Sequence, residues 1–320
     1  MEKDGEKGGM NLDAAVTNAM HRMEDLYNET DGKCYVAFSG GKDSTVILAI
    51  VKMCEDILTI HKGAIPAVFA NTGIELGVTV DFVKWVKENW YTNVVVLRPE
   101  KPFAWVLENK GKPIKSKVRS EFLHRYHIGN RSDSVMRNLV YGITGSGYPA
   151  QKTRLADKDM HMLHDDFPIK ASPACCSYMK KKPFTKYGKE NGIKGYAVGI
   201  RESEGGARSM NAKARSMKTG ERLKLCTTMS GGYIKKMPLI DWTDEIIDAF
   251  VEKYDVPLSD AYTVYGFQRT GCMACPYAMD VGGGNRLFVP SRTKSVQGFH
   301  VLAEGCVHCA ESETPVRPGV

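Results

Sequence analysis

The stretch from Cys34 to Thr45 constrains the fold of this chain more than any other. It begins with five apolar, β-prone residues and then turns abruptly into Ser39-Gly40-Gly41. Helical spacing follows, with apolar residues on one face at Val46, Ile47, Ile50, Val51 and Cys54. A strand, a glycine turn and a helix in this order point bare backbone N–H groups and a positive helix end at an anion. The sequence therefore predicts a phosphate-binding loop.

The polar residues of this loop show which kind of phosphate-binding loop it can be. Lys42 and Ser44 add donors for a phosphate, whereas the carboxylate of Asp43 needs a metal ion or another donor to face. The loop is not a Walker A motif, which requires Gly, four residues and then Gly-Lys-Ser/Thr. Here Gly41-Lys42 is followed by Asp43.

The rest of the chain predicts the surroundings of the loop. Strand-like apolar runs lie at 34–38, 64–70, 94–97, 195–200 and 233–239, and helical patterns at 11–30, 78–90 and 243–254. A shorter helix is expected at 103–107, and Thr243 is the expected N-cap of the last helix. Strands that alternate with helices predict an α/β fold with a doubly wound, mostly parallel sheet, which binds ligands at the carboxyl ends of its strands.

The pattern also divides the chain into segments. We expect a disordered leader at 1–10, an α/β domain at 11–256 with a substrate-specific insertion at about 99–170, a Cys-rich region at 257–310 and a disordered tail at 311–320. No run of about 18 apolar residues exists, which excludes a membrane span. The charged, Gly-rich start does not resemble a secretion signal, so we expect a cytoplasmic protein.

The positive charge is regional. The chain has a net charge of +7, but residues 180–236 carry 15 Lys or Arg and four acids, a net of +11. One interpretation is a surface for a phosphate backbone, such as a nucleic acid. The other is a solvated, Lys-rich face around the nucleotide site.

Six of the nine cysteines are paired in sequence, as Cys175-Cys176, Cys272-x-x-Cys275 and Cys306-x-x-Cys309. In an intracellular chain such pairs more often bind metal or do redox work than form disulfides. The first two pairs supply four thiolates for a [4Fe–4S] cluster or Zn²⁺. The last two pairs would instead form a zinc ribbon, and composition does not decide between these groupings.

The hexapeptide from Ser39 to Ser44 resembles the PP-loop of the ATP pyrophosphatase superfamily, which has the adenine-nucleotide α-hydrolase fold. The resemblance implies that ATP is cleaved between its α- and β-phosphates and that a substrate is adenylated. Lys42 and Asp43 would then be catalytic, and Mg²⁺ would neutralise charge on the leaving pyrophosphate.

Other residues resemble the PAPS reductase family. Asn71-Thr72-Gly73 is similar to its turn after the second strand, and Gly199-Ile200-Arg201, with Arg208 beyond, is similar to its Gly-x-Arg segment. These resemblances imply nucleotide contacts from Asn71, Thr72, Gly73, Gly199, Arg201 and Arg208. The segment from Pro238 to Thr243 resembles a Pro-Leu-x-x-Trp-Thr helix start.

The adjacent cysteines, with lysines and Pro183 after them, and the later Gly-Cys-x-x-Cys resemble the cluster ligands of the adenylyl-sulfate reductase branch. The implied ligands of a [4Fe–4S] cluster are Cys175, Cys176, Cys272 and Cys275, with Zn²⁺ as the alternative. In total, the resemblance covers about residues 30–100 and 170–280.

Two features depart from those reductases. They have degraded loops, whereas the intact Ser-Gly-Gly-Lys-Asp-Ser favours an enzyme that uses ATP. They also carry a catalytic cysteine in a Glu-Cys-Gly-x-His context, and here the order is Glu304-Gly305-Cys306-Val307-His308-Cys309. Cys306 or Cys309 could be a nucleophile whose pKa His308 lowers, or a metal ligand or redox-inert pair.

The leading interpretation is ATP-dependent adenylation coupled to sulfur transfer onto a nucleic-acid or small-molecule acceptor. Its partners would be an adenine nucleotide and a sulfur donor protein or thiol reductant. One alternative is a phosphoadenylyl- or adenylyl-sulfate reductase that releases sulfite. A third is a non-catalytic nucleic-acid-binding module built around a zinc ribbon.

Overall fold

The computed structural model describes residues 11–204, 226–273 and 275. The expected leader, the tail, Arg208, Cys306 and Cys309 lie outside these residues. The chain divides into two compact units. Among the described residues, the first unit contains 11–71, 77–97, 184–204 and 226–270, and the second contains 72–76, 98–183, 271–273 and 275.

The described strands of the first unit form one six-stranded sheet in the order β3-β2-β1-β4-β6-β5. Its strands are β1 Cys34–Phe38, β2 Ala67–Ala70, β3 Val94–Leu97, β4 Gly195–Ala197, β5 Thr227–Ser230 and β6 Tyr233–Lys236. All neighbours are parallel except β5, which runs antiparallel to β6 at one edge. The fold is therefore the α/β class with a mostly parallel sheet that the sequence predicts.

The helices lie between and around these strands. They are α1 Leu12–Glu29, α2 Lys42–Asp56, α3 Gly77–Trp85, α4 Phe103–Lys110, α5 Lys117–His127, α6 Asp133–Met136, α7 Ala174–Cys176, α8 Lys182–Glu190, α9 Asp244–Lys253 and α10 Asp260–Thr263. Three π-helical segments continue α3, α6 and α7, namely Val86–Trp90, Arg137–Tyr141 and Ser177–Lys181. Within the described residues, no helix combines the length and apolar character that crossing a bilayer requires.

β1 and α2 lie at the centre of the first unit, in its apolar core. Four of the five residues of β1 and nine residues of α2 are buried, and they pack with apolar residues of α1, α3 and α9. Strand order reverses at β1, because β2 and β3 lie on one side and β4 and β6 on the other. In sheets of this kind ligands bind at that reversal, beyond the carboxyl ends of the two central strands. These ends are Phe38 of β1 and Ala197 of β4.

The second unit has apolar clusters of its own. One is built on Leu123, Leu139, Leu155 and Met162, and it gives regular structure to the segment 99–170. The sequence predicts only a short helix at 103–107 there, whereas the structure also contains α5 and α6. The side chain of Ser116 caps α5 by accepting the N–H of Arg119. The helix is polar on average, so its apolar periodicity is weak in sequence.

Candidate functional site

The predicted phosphate loop joins β1 to α2 in the first unit. Gly40 has a φ of +68°, and a Cβ there would lie 2.8 Å from Cγ2 of Thr79. Gly41 precedes α2 as its N-cap without a capping side chain. A Cβ on Gly41 would approach the hydroxyl oxygens of Thr270, Ser39 and Tyr262 to 3.0–3.1 Å. The backbone therefore requires glycine at Gly40 and tightly encloses Gly41.

Two serines hold the ends of the loop together. The hydroxyl of Ser44 donates to the carbonyl of Gly41 at 2.8 Å and accepts the N–H of Ser39 at 3.2 Å. The hydroxyl of Ser39 lies 3.1 Å from that of Ser44 and accepts the N–H of Gly41 at 3.3 Å. These bonds fix the loop shape from its first residue to its last.

The loop that follows β4 packs against the start of α2. A Cβ on Gly199 would lie 2.9 Å from Cβ of Asp43 and 3.2 Å from the backbone nitrogen of Ser44. Only glycine allows this approach without displacing the helix start. The Gly-x-Arg segment and the phosphate loop, which are far apart in sequence, are thus adjacent in the first unit.

Arg201 binds two carboxylates there. Its Nε donates to Asp43 at 3.0 Å, a second guanidinium nitrogen lies 2.8 Å from Asp244, and a third donates to Ser203 at 3.0 Å. The side chain of Arg201 is only 6% exposed, so these partners compensate a nearly buried charge. Asp43 therefore faces an arginine in this structure, which supplies the donor that the sequence requires.

Lys42 and Tyr262 complete the loop surroundings. Nζ of Lys42 lies 2.6 Å from the carboxylate of Asp248 on α9. The backbone N–H of Lys42, one of the donors expected to face a phosphate, donates to the hydroxyl of Tyr262 at 3.1 Å. Tyr262 in turn lies 3.4 Å from the hydroxyl of Thr270.

The predicted turn at 71–73 serves two purposes. The N–H of Asn71 donates to the carbonyl of Leu97 and so extends the pairing of β2 with β3. Thr72 belongs to the second unit, where its hydroxyl donates to Glu75 at 3.1 Å and lies 3.8 Å from Sγ of Cys272. Gly73 has a φ of +80°. The structure thus places the Thr72 side chain beside a thiol, where the sequence predicts a nucleotide contact.

A buried carboxylate, Glu75, contacts one of the thiols of the second unit. Oε1 of Glu75 accepts from the Thr72 hydroxyl, from the Cys272 thiol at 3.5 Å and from Nζ of Lys180 at 3.1 Å. Its side chain is 3% exposed. Residues 75 and 272 also form a β-bridge, and Met273 donates its N–H to the carbonyl of Ile74.

The four cysteines that the sequence groups together interact in this unit. Burial, together with negative charge on Cys176, Cys272 and Cys275, raises the pKa of Cys175 to about 12. Burial raises the pKa of Cys272 to about 11, against the opposing charge of Lys180. Cys175 and Cys272 pack on the same apolar cluster. The N–H of Cys275 donates to the carbonyl of Cys272 in a tight turn.

Four thiolates are a donor set that either a [4Fe–4S] cluster or Zn²⁺ could use. Among the described residues, no three His, Cys, Asp or Glu side chains form a group that could hold one metal ion. The π-helical segment Ser177–Lys181 follows the cysteine pair directly, and such segments are frequent at functional sites.

Several residues of these two sites have no local signal in the sequence. Tyr262 and Thr270 lie in the segment expected to be a Cys-rich region, more than 200 residues beyond the loop. Glu75 is a lone acid between Ile74 and Leu76, and Lys180 is the first of three consecutive lysines. The one available clue is position, because Glu75 follows a strand end and Lys180 follows Cys176 by one helical turn.

The chain is similar to known proteins in sequence. The family model of the phosphoadenosine phosphosulfate reductase domain matches residues 33–138 and 141–278. Two uncharacterized proteins of Methanocaldococcus jannaschii are 24% and 25% identical over 76% and 86% of this chain. The adenosine 5'-phosphosulfate reductase of Deinococcus radiodurans is 28% identical over 34% of it. The matches cover 41%, 42% and 37% of these relatives, so the chain spans about two fifths of their length.

Solved structures with a similar fold were also found. Phosphoadenylyl-sulfate reductase from Candida auris, in a phosphate complex, is 14% identical with a TM-score of 0.42, covering 82% of this chain and 96% of that one. FMN adenylyltransferase from Candida glabrata, with FMN and an ATP analogue, is 14% identical with a TM-score of 0.43, covering 85% and 66%. Neither likeness bears on the chemistry of this chain.

Proposed function

Because the chain belongs to the phosphoadenosine phosphosulfate reductase domain family, we propose that it is an enzyme that uses an adenine nucleotide. The specific reaction that we propose is ATP-dependent sulfur transfer. ATP would bind at Ser39–Ser44, and the acceptor would be a nucleic acid or a small molecule. The free thiols and the proposed cluster suit a reducing compartment such as the cytoplasm.

The observation that supports this proposal most strongly is the intact loop. Its glycines add no side chain of their own over the backbone at Gly40 and Gly41, its serines fix its shape, and it lies where strand order reverses. Backbone N–H groups at the start of a helix of 15 residues favour a phosphate there.

The reaction that we propose has two steps. An oxygen of the acceptor attacks the α-phosphorus of ATP, the bond between the α- and β-phosphates breaks, and pyrophosphate leaves. Sulfur then attacks the carbon that carries the adenylated oxygen, the C–O bond breaks, and AMP leaves. Hydrosulfide would need no electrons for this exchange. A persulfide donor would need two, which a thiol reductant would supply.

The residues of the first unit have distinct roles in this proposal. Lys42 and Arg201 would stabilise charge on the phosphates, and each would exchange part of its present carboxylate contact for a phosphate oxygen. Mg²⁺ would enter with ATP, held by phosphates, water and one carboxylate, for which Asp43 is the candidate. The backbone at Asn71 and Gly199, with Arg208 outside the described residues, would border the nucleotide.

In the second unit, Cys175, Cys176, Cys272 and Cys275 would hold a [4Fe–4S] cluster, with Zn²⁺ as the alternative. When bound, the cluster would supply one-electron chemistry. Lys180 would place a positive charge beside it, and Glu75 orients that lysine. Anaerobic iron, sulfide and zinc analysis of the wild-type chain and of Cys176→Ala would test this ligand set; iron that is fully retained in Cys176→Ala would contradict it.

The test of ATP cleavage is the identity of the products. The anaerobically purified chain is incubated with Mg-ATP, hydrosulfide and total cellular RNA, and pyrophosphate and AMP are measured. We expect Lys42→Ala to lower their release at least tenfold, roughly the loss of one charge-assisted contact. Lys253→Ala is the matched control, because Lys253 forms a similar surface ion pair with Asp13 at 2.7 Å. ADP and phosphate as products, or no turnover and no ATP binding, would refute the proposal.

A second candidate function is reduction of a sulfonucleotide. Its support is the family itself and the likeness to the Deinococcus radiodurans reductase. Cys306 or Cys309 would attack the sulfur of adenylyl sulfate, the bond from sulfur to the phosphate oxygen would break, and AMP would leave. A thiol reductant would then release sulfite from the cysteine S-sulfonate and form a disulfide with that cysteine. Sulfite release from adenylyl sulfate with thioredoxin, lost in Cys306→Ser or Cys309→Ser, would support this candidate over the first.

A further inference from the structure

The second unit carries a surface cluster of rings and ammonium groups, which we call the ring–lysine patch. Its members are Trp105 and Lys110 of α4, Lys101 just before it, Tyr178 of the π-helical segment and Lys182 at the start of α8. The Trp105 and Tyr178 rings lie 6.3 Å apart between centroids, at 49° to each other. Both rings are partly exposed.

Each lysine of the patch lies over a ring. Nζ of Lys182 is 3.5 Å from the centroid of Tyr178, and Nζ of Lys101 is 5.2 Å from that of Trp105. Nζ of Lys110 lies between the two rings, 5.6 Å from Trp105 and 5.7 Å from Tyr178. A hydrogen bond to Lys182 and the charge of Lys110 lower the pKa of Tyr178.

These ammonium groups are not neutralised within the described part of the chain. No described Asp or Glu side chain forms an ion pair with Lys101, Lys110 or Lys182. The stretch around them is basic too, because residues 98–183 contain 17 Lys or Arg and 8 Asp or Glu, a net of +9. Three cations around two rings, with no carboxylate partner among the described residues, attract an anion that also has a flat apolar face.

From this arrangement we infer that the ring–lysine patch binds a single-stranded nucleic acid. Unpaired bases would stack on Trp105 and Tyr178, while the phosphates of the same strand would contact Lys101, Lys110 and Lys182. A duplex would not use the rings, because its bases are closed within the stack. An acidic peptide would pair with the lysines and leave both rings without a partner.

The inference concerns binding and does not require ATP. Tyr178 is two residues from Cys176, and Trp105 and Tyr178 pack on the same apolar cluster as Cys175 and Cys272. A nucleic-acid strand bound to the patch would therefore lie close to the thiols of the second unit. That this strand is also the sulfur acceptor rests on the proposed function.

The test measures strand binding by the full-length chain without ATP. The probes are a fluorescein-labelled RNA of mixed sequence about 20 nucleotides long, the DNA of the same sequence and the duplex of that DNA. Anisotropy is recorded from about 50 to 200 mM salt. Either single strand should bind, and the comparison of RNA with DNA identifies the preferred sugar. Lys101→Glu and Lys182→Glu should each weaken binding and lower the log–log salt slope by about one.

The aromatic contribution is separable from charge. Tyr178→Ala should weaken binding roughly 5- to 150-fold at fixed salt, as loss of one stacked base does, whereas Tyr178→Phe should bind like the wild type. Lys158→Glu and Tyr148→Ala, exposed residues of the same unit, are the controls. Circular dichroism shows whether each variant is folded.

Three results would overturn the inference. They are patch variants that bind like the controls, a duplex that binds as tightly as the strand, and a charge effect with no effect of Tyr178→Ala. A chain that binds the strand but releases no pyrophosphate would sink the proposed function and leave this inference standing. Pyrophosphate release without strand binding would do the opposite.

Discussion

At the scale of single residues, the start of α2 depends on two glycines, because neither has a Cβ atom that would collide with its neighbours. Gly41 lies in the loop and Gly199 packs against it, and a Cβ on either would lie 2.9–3.2 Å from other atoms. Those atoms are flexible hydroxyls at Gly41, but at Gly199 they include the backbone of Asp43 and Ser44. A methyl group at Gly199 can be accommodated only if the helix start moves.

Gly199→Ala should therefore disable the nucleotide site while the protein stays folded. We expect ATP binding, measured by calorimetry, to weaken at least tenfold, since a shift of the Lys42–Ser44 backbone misaligns several donors at once. Gly77→Ala is the matched control, because no atom lies within 4 Å of the Cβ position there. Unchanged ATP affinity in Gly199→Ala would show that this approach does not shape the site.

Motifs in the sequence predict the residues that are local to a strand end. The loop at 39–44, Gly199 and Arg201 all follow predicted strands, and the structure brings them together. The buried ion pair of Arg201 with Asp43 and the contact of Tyr262 with Lys42 could not be predicted, because each joins residues more than 150 positions apart. Only the packing of the strands places such residues side by side.

At the scale of elements, α9 presents carboxylates to the loop. Asp244 in its first turn contacts Arg201, and Asp248 one turn later contacts Lys42. The sequence predicts this helix and its cap, and the prediction is confirmed: the hydroxyl of Thr243 accepts the N–H of Ile246. The cap fixes where the helix begins and hence where both carboxylates lie.

Thr243→Ala removes that cap. We expect a loss of about 0.5–1 kcal/mol in the free energy of unfolding, since the cap bond is long at 3.4 Å. Urea unfolding monitored by circular dichroism would measure it. Thr243→Ser keeps the hydroxyl and should retain most of the stability; equal stability of the alanine variant and the wild type would contradict the assignment.

Elements with strong apolar patterns are the ones that the sequence predicts well. β1, β3 and α2 are confirmed almost to the residue. β5, Thr227–Ser230, is not predicted: it is a polar edge strand whose residues are half-buried or exposed, and it exists because β6 pairs with it. For the predicted strand at 195–200, only Gly195–Ala197 pairs, and the chain then turns toward Arg201.

At the scale of the whole molecule, buried thiols link stability to pH. Burial raises the pKa of Cys34 in β1 from 9.0 to about 11, and a hydrogen bond with Thr30 opposes the shift. The folded chain thus keeps a proton that the unfolded chain loses. The corresponding stability is fully present below pH 9 and is lost as pH rises toward 11.

Cys34→Ala should flatten this dependence. Between pH 9 and 11, the wild type should lose up to about 1.4 kcal/mol per pH unit more than the variant. Urea unfolding in a thiol reductant at several pH values would measure the slopes. Val36→Ala, which also truncates a buried side chain of β1, should be less stable at every pH but keep the wild-type slope. Equal slopes in wild type and Cys34→Ala would refute the link.

The hydroxyl of Tyr262 accepts the N–H of Lys42, so this donor of the loop already has a partner before a ligand arrives. Binding there is an exchange of one acceptor for another, so the net gain is the difference between two hydrogen bonds to the same donor. A neutral acceptor such as water gains little from that exchange, whereas a charged phosphate oxygen forms a stronger bond and displaces the phenol. The contact between Tyr262 and Lys42 should therefore favour charged phosphate ligands over neutral molecules at this donor.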